Sequence, residues 1–215
     1  MAKENLMKKA VLCVVLLSVM IPAYSLAQEH GAFVGAIGLG LTSAQGDFSS
    51  SDFFSAGTGS GIEGELRYYL VNGFSIGAMA NYVRFGSNLS YPVGRVSYNF
   101  NQIGGMARLN LFSVSDGKLF VTGGGGVFTP NTHVYIPDNS IDYKADKSGT
   151  FFTGGLGLVS NVSQKVMYEF EAKYSVGRSD DIELTNGNTS NVWDFIYVGF
   201  KISFASKGHD APPRY

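Results

Sequence analysis

Between residues 31 and 204 the chain repeatedly sets an apolar side chain beside a polar or small one, with a period of two. Successive side chains of a β-strand point to opposite faces, so this period predicts strands that meet a different medium on each side. In 61–71, Ile62, Gly64, Leu66, Tyr68 and Leu70 share one face, and Glu63, Glu65, Arg67 and Tyr69 the other. In 165–177, Tyr168, Phe170, Ala172, Tyr174 and Val176 alternate with Glu169, Glu171, Lys173 and Ser175. In 192–204, Ile196, Val198, Phe200, Ile202 and Phe204 alternate with Phe195, Tyr197, Gly199, Lys201 and Ser203. Five further segments, 31–41, 74–86, 95–112, 118–128 and 149–160, bring the expected strands to eight, and none of the eight sustains a helical period. In 95–112 the apolar phase changes, with Val96, Tyr98 and Phe100 on even positions and Ile103, Ala107, Leu109 and Leu111 on odd ones. Either a bulge near Asn101–Gln102 reconciles them, or the upper part projects beyond the lipid, where strict alternation is not needed.

Alternation suits a soluble sandwich as well as a barrel, and the connections discriminate. The links at 72–73, 113–117 and 161–164 are short and polar, with Asn72-Gly73 and Asp116-Gly117 as turn dipeptides. The links at 42–60, 87–94, 129–148 and 178–191 are longer. Short and long alternate throughout, so all the long ones fall at one end, as an up-and-down barrel requires. The expected fold is all-β: an eight-stranded antiparallel up-and-down transmembrane β-barrel, with short turns at one rim and long loops at the other. A soluble periplasmic β-sandwich is the alternative fold.

The N-terminus reads as an address. Lys3, Lys8 and Lys9 precede an apolar run from Ala10 to Ile21, and Ser25-Leu26-Ala27 supplies small residues at the last and third-last positions. The run is too short to span a bilayer as a helix, so 1–27 is expected to be a signal peptide cut after Ala27, followed by a barrel domain at 28–204 and a short periplasmic tail at 205–215. Cys13 lies within that leader with Leu12 before it, which suits neither an internal disulfide nor lipidation. The formal net charge of −1 gives no electrostatic case for nucleic acid. Only 15% of residues are charged, while there are 28 Gly, 16 Phe and 12 Tyr, which suits strands with crowded positions.

If the apolar face meets lipid, then Glu63, Glu65, Arg67, Arg108, Glu169, Glu171, Lys173 and Lys201 point inward, four charges of each sign. Eight strands enclose an interior that side chains just fill, so these groups are expected to pair as a structural charge network that closes the lumen. Gly124, Gly126, Gly155, Gly157 and Gly199, also inward, are expected to make room for the long charged side chains. Tyr68, Phe74, Tyr82, Phe112, Tyr168 and Trp193 are expected in aromatic girdles at the membrane interfaces.

The leader, the eight strands and the terminal Ile196-x-Val198-x-Phe200-x-Ile202-x-Phe204 pattern resemble the small outer-membrane β-barrel proteins, the group of the OmpA transmembrane domain, OmpX and the Opa-like barrels. The resemblance implies a Gram-negative outer membrane as location and lipopolysaccharide with other outer-membrane lipids as surroundings. It also implies that Ile196, Val198, Phe200, Ile202 and Phe204 form the strand read by the barrel-assembly machinery. The chain departs from the family's pattern in continuing past Phe204 to Tyr215.

Some barrels of this kind deacylate lipid A through a His-x-Ser pair on one strand. Here His133 is followed by Val134 and Tyr135, and His30 and His209 stand near the termini, so no catalytic residue, cofactor site or metal site is expected. Asp180, Asp181 and Glu183 read as a solvated acidic loop rather than a Ca²⁺ site. The 42–60 loop holds Phe48, Phe53 and Phe54, which are expected to pack within the loop or to touch the lipid headgroup zone; as the alternative, it and 129–148 are the candidate surfaces for partners. The expected function is therefore that of a non-enzymatic monomeric barrel serving membrane integrity or surface interaction. A narrow passive channel and a lipid A-modifying enzyme are the alternatives.

Overall fold

Among the described residues, ten antiparallel strands form one sheet: β1 (Phe33–Gln45), β2 (Ala56–Val71), β3 (Phe74–Ser87), β4 (Arg95–Val114), β5 (Gly117–Ile136), β6 (Ile141–Ala145), β7 (Gly149–Asn161), β8 (Val166–Glu183), β9 (Thr189–Val192) and β10 (Asp194–Ala205). The computed structural model describes residues 31–50, 56–87, 95–114, 117–136, 141–145, 148–163, 165–183 and 189–206. The expected leader and its cleavage site, His30, Phe53, Phe54, His209 and the tail beyond Ser206 lie outside the described residues.

Eight strands are staves of a closed barrel, because β10 pairs with both β8 and β1. The two short strands fold back on overhanging staves, β6 on β5 and β9 on β8. Much of what the sequence suggests as loops at 129–148 and 178–191 is therefore hairpin. Strands continue there because backbone groups still need partners above the membrane, although nothing enforces alternation. At the other rim the Asn72-Gly73 turn links β2 to β3, with Gly73 at φ +77°, a conformation that glycine adopts without steric cost.

Closure fixes the dimensions. Following cross-strand partners around the wall leads from Val34 through Arg67, Gly77, Met106, Gly124, Thr153, Ser175 and Phe195 to Ala44. The path returns to β1 ten residues further along, a shear of 10 for eight strands. With ordinary strand spacings this gives a tilt of roughly 40° and a radius of about 8 Å. An even shear is also what allows inward and outward faces to match where the sheet meets itself.

The outward face is an apolar belt. Five outward positions on each stave, such as Phe33 to Leu41 on β1 and Phe204 to Ile196 on β10, carry no charge on any of the eight. Nine residues at this tilt rise about 23 Å, close to the height of a lipid-facing band. The next outward residue toward the loop rim is polar on every stave: Ser43, Thr58, Arg84, Asn101, Thr129, Thr150, Arg178 and Asp194.

Three expectations need correction. No bulge lies at Asn101–Gln102: the β3–β4 ladder runs unbroken from Phe74↔Leu109 to Gly86↔Ser97, and the irregularity falls between Asn110 and Phe112 on the β5 side. Tyr98, Phe100, Gln102, Met106 and Arg108 are all buried and inward, so it is the lumen that changes character along β4, not the backbone phase. Trp193 is no girdle residue; it is 1% exposed inside the barrel, whereas Tyr82, Phe112 and Tyr168 are exposed on the outer wall. Of the inward glycines, Gly155 makes room for Lys173, but Gly157 accommodates the Phe120 ring, Gly199 the Tyr197 ring and Gly124 the Met79 thioether, while Gly126 lies against the β4 backbone.

Candidate functional site

Among the described residues, the lumen is where charged side chains gather out of water, and strand spacing explains how. On β2 and β8 a charge at every second residue projects inward, which stacks Glu63, Glu65 and Arg67 on one wall and Glu169, Glu171 and Lys173 on the opposing one. Arg108 enters from β4 and Lys201 from β10. All eight are at most 6% exposed.

The structure brings all eight into one network. Lys201 Nζ lies 2.6 Å from Glu65, 3.4 Å from Glu63 and 4.0 Å from Glu169, and pairs most closely with Glu171. Lys173 pairs with Glu63 and lies 3.7 Å from Glu171. Arg67 donates to Glu169 at 2.5 Å and approaches Glu65 at 3.5 Å. Arg108 donates to the other Glu169 oxygen at 2.7 Å and to Asn110 Oδ1 at 3.2 Å, and its guanidinium lies 3.5 Å from the centroid of the Phe120 ring. Ser203 Oγ also donates to Glu169. The satisfaction is incomplete: Glu63 Oε2, Glu171 Oε1 and Arg67 Nη1 make no hydrogen bond within the protein.

Carboxylate oxygens of Glu63, Glu65 and Glu171 lie within 4.8 Å of one another, a grouping that could hold a metal ion by geometry alone. Lys201 Nζ pairs with all three, so an ammonium of the chain itself occupies that position. Each of the four glutamates is engaged by Lys or Arg through at least one oxygen.

Two apolar layers bracket the charges. Toward the loop rim, Phe85, Phe100, Phe128, Phe151, Trp193 and Phe195 form a buried cluster with Met79 and Tyr197. Phe48, in the 3₁₀ turn Gly46–Phe48 after β1, is fully buried and enters this cluster from the first loop. Its ring centroid is 5.0 Å from Phe85, 5.5 Å from Phe100 and 5.4 Å from Trp193. Toward the turn rim, Val34, Tyr69, Phe120, Val159, Met167 and Ala205 form a floor. The strands carried the signal for most of these residues, since Phe85, Phe128 and Phe151 stand on inward positions. Phe48 had no such signal, being outside any strand.

No curated protein matches the sequence. Among solved structures, the attachment invasion locus protein Ail of Yersinia pestis superposes with a TM-score of 0.53 at 10% identity, over 82% of this chain and 99% of that one. Neisserial surface protein A superposes with a TM-score of 0.49 at 15% identity, over 81% and 96%. The outer membrane protease OmpT of Escherichia coli superposes with a TM-score of 0.41 at 10% identity, over 81% and 92%. Likeness at such identity concerns the fold alone. Residues 10–204 match the family described as the outer membrane protein beta-barrel domain. The closed eight-stranded wall, its uncharged belt and that match together place the chain in the outer membrane protein beta-barrel family.

Proposed function

We propose that this chain is a non-enzymatic outer-membrane barrel with a closed lumen, contributing to membrane integrity and to surface contacts through its loop rim. The observation that carries the reading is the filling of the lumen at three levels: aromatic cluster, eight-charge network and apolar floor. A solute stream would have to break charge pairs that are all but sealed from water, and a substrate has no route to carboxylates so engaged. The chain is exported by a leader ending at Ala27, with mature Gln28 as the first residue. The barrel-assembly machinery reads β10 through Phe204, and outer-membrane lipids with lipopolysaccharide surround the belt.

The test is planar-bilayer recording of the refolded mature chain. The expected result is an electrically silent bilayer; steady single-channel steps would overturn the closed lumen in favour of a narrow passive channel. Lipid A mass spectra from cells overexpressing the protein are expected to match those of control cells, and a new acylation or deacylation product would restore the enzyme reading.

A further inference from the structure

The charges of the lumen balance as a whole but not by height. Toward the turn rim, Arg67 and Arg108 share Glu169. Toward the loop rim, Glu63, Glu65 and Glu171 share Lys173 and Lys201. Arg67 Nε reaches Glu65 Oε2 at 3.5 Å, longer than a normal hydrogen bond. The upper layer therefore sets three carboxylates against two ammoniums.

The unmatched oxygens fall in that same layer. Glu63 Oε1, Glu65 Oε1 and Glu171 Oε2 each meet a lysine. The second oxygens, Glu63 Oε2, Glu65 Oε2 and Glu171 Oε1, make no hydrogen bond within the protein. Both oxygens of Glu169, by contrast, accept from arginine. Three carboxylates with oxygens inside 4.8 Å of one another repel, and a buried acceptor left unmet costs free energy. A proton on one of them removes a charge and supplies a donor to its neighbour. Glu63 and Glu65 stand two apart on one face of β2, so their carboxyls are side by side, whereas Glu171 enters from β8.

A separate group points into this layer. Tyr197 is 4% exposed, and its hydroxyl makes no hydrogen bond within the protein. The ring lies over Gly40, Gly61 and Gly199, which are cross-strand neighbours on β1, β2 and β10. The hydroxyl sits at Gly199, the inward position before Lys201, and Lys173 Nζ lies 5.2 Å from the ring centroid. Tyr197 thus leaves the aromatic cluster and carries its hydroxyl down toward the surplus carboxylate. Among the described residues, the other charged groups facing the layer are Arg67 of β2, Glu169 and Lys173 of β8, Lys201 of β10 and Arg108 of β4; the inward residues beside it on β1, β3, β5 and β7 do not titrate.

We propose that this layer is a proton-binding site, with one proton held between Glu63 and Glu65 at neutral pH and the Tyr197 hydroxyl hydrogen-bonded to the pair. The proton comes from water and returns to it, and no other bond changes. While it is bound, two negative charges face two ammoniums. Its loss at alkaline pH restores the surplus charge and weakens the barrel. The site goes beyond the closed-lumen reading: conductance reports whether solutes pass, and infrared absorption reports whether a carboxyl is neutral, so either can fail alone.

The test is infrared spectroscopy of the mature chain refolded in a detergent free of ester groups, titrated from neutral to alkaline pH. The expected result is the carbonyl stretch of a neutral carboxylic acid, shifted in D₂O and lost as the pH rises. Glu63→Gln is expected to abolish the band, and Asp180→Asn, at an exposed position, to keep it. Tyr197→Phe removes no charge; it is expected to move the band to higher frequency, and it carries the test if the glutamine variant does not refold. In urea titrations of the wild type the unfolding equilibrium constant is expected to rise about tenfold per pH unit while only the folded chain holds the proton, and to stay flat in Glu63→Gln. Absence of a neutral carboxyl band from the wild type, a band unmoved by either variant, or wild-type stability indifferent to pH over this range would overturn the site.

Discussion

Lys201 stands within 4.0 Å of four glutamates, and its side chain is 1% exposed. A lone ammonium there would be expelled by its desolvation cost, and four unaccompanied carboxylates equally so. Each is tolerated because the other is present. Replacing Lys201 by Met is therefore expected to destabilise the barrel by about 3–5 kcal/mol, since it strands buried negative charge. Urea unfolding in lipid vesicles measures this. Adding Glu171→Gln to that variant is expected to recover part of the loss; a double variant as unstable as the sum of its parts would show that the two residues do not interact.

At the scale of elements, β1 supplies more than a stave. It runs into the turn Gly46–Phe48, which delivers a ring into the mouth of the barrel against Trp193. The chain has a single tryptophan, so its fluorescence reports that cluster alone. Phe48→Ala is expected to shift the emission to the red, increase iodide quenching and cost about 3–5 kcal/mol. Unchanged emission would mean that the first loop does not seal the lumen. The last stave is matched at its end to lipid, with Phe200 and Phe204 exposed on the outer wall. Phe204→Ser is expected to lower the fraction of heat-modifiable barrel recovered in the outer membrane, if this strand is the one the assembly machinery reads. Equal recovery would detach that role from Phe204.

The whole molecule is governed by closure. A shear of 10 on eight strands sets the radius, and the radius leaves space for side chains rather than for a channel. The same tilt sets the height of the uncharged belt. An arginine is therefore expected to cost about 2–4 kcal/mol at the belt's midline, as Ile37→Arg, but only about 0–1 kcal/mol in the polar ring, as Thr150→Arg. Equal costs in vesicle unfolding titrations would mean that the belt does not lie in hydrocarbon.

Much of this was legible in the sequence because a strand's period is two and lipid tolerates no charge. Ile62 to Leu70 against Glu63 to Tyr69 already assigns faces on β2, and the same logic on β8 and β10 names the charges that share an interior. Asn72-Gly73 likewise announces its turn. The lumen's vertical order was not legible. Tyr98 and Phe100 look lipid-facing in sequence because an inward position is expected to be polar; closure places them instead beside Phe48, Phe85 and Trp193, where rings pack against one another. Trp193 reads as an interface anchor until the wall around it is known. Local alternation thus determines which face of each strand a residue takes. What it meets there depends on how far neighbouring strands are staggered, a property of the closed sheet that no single segment contains.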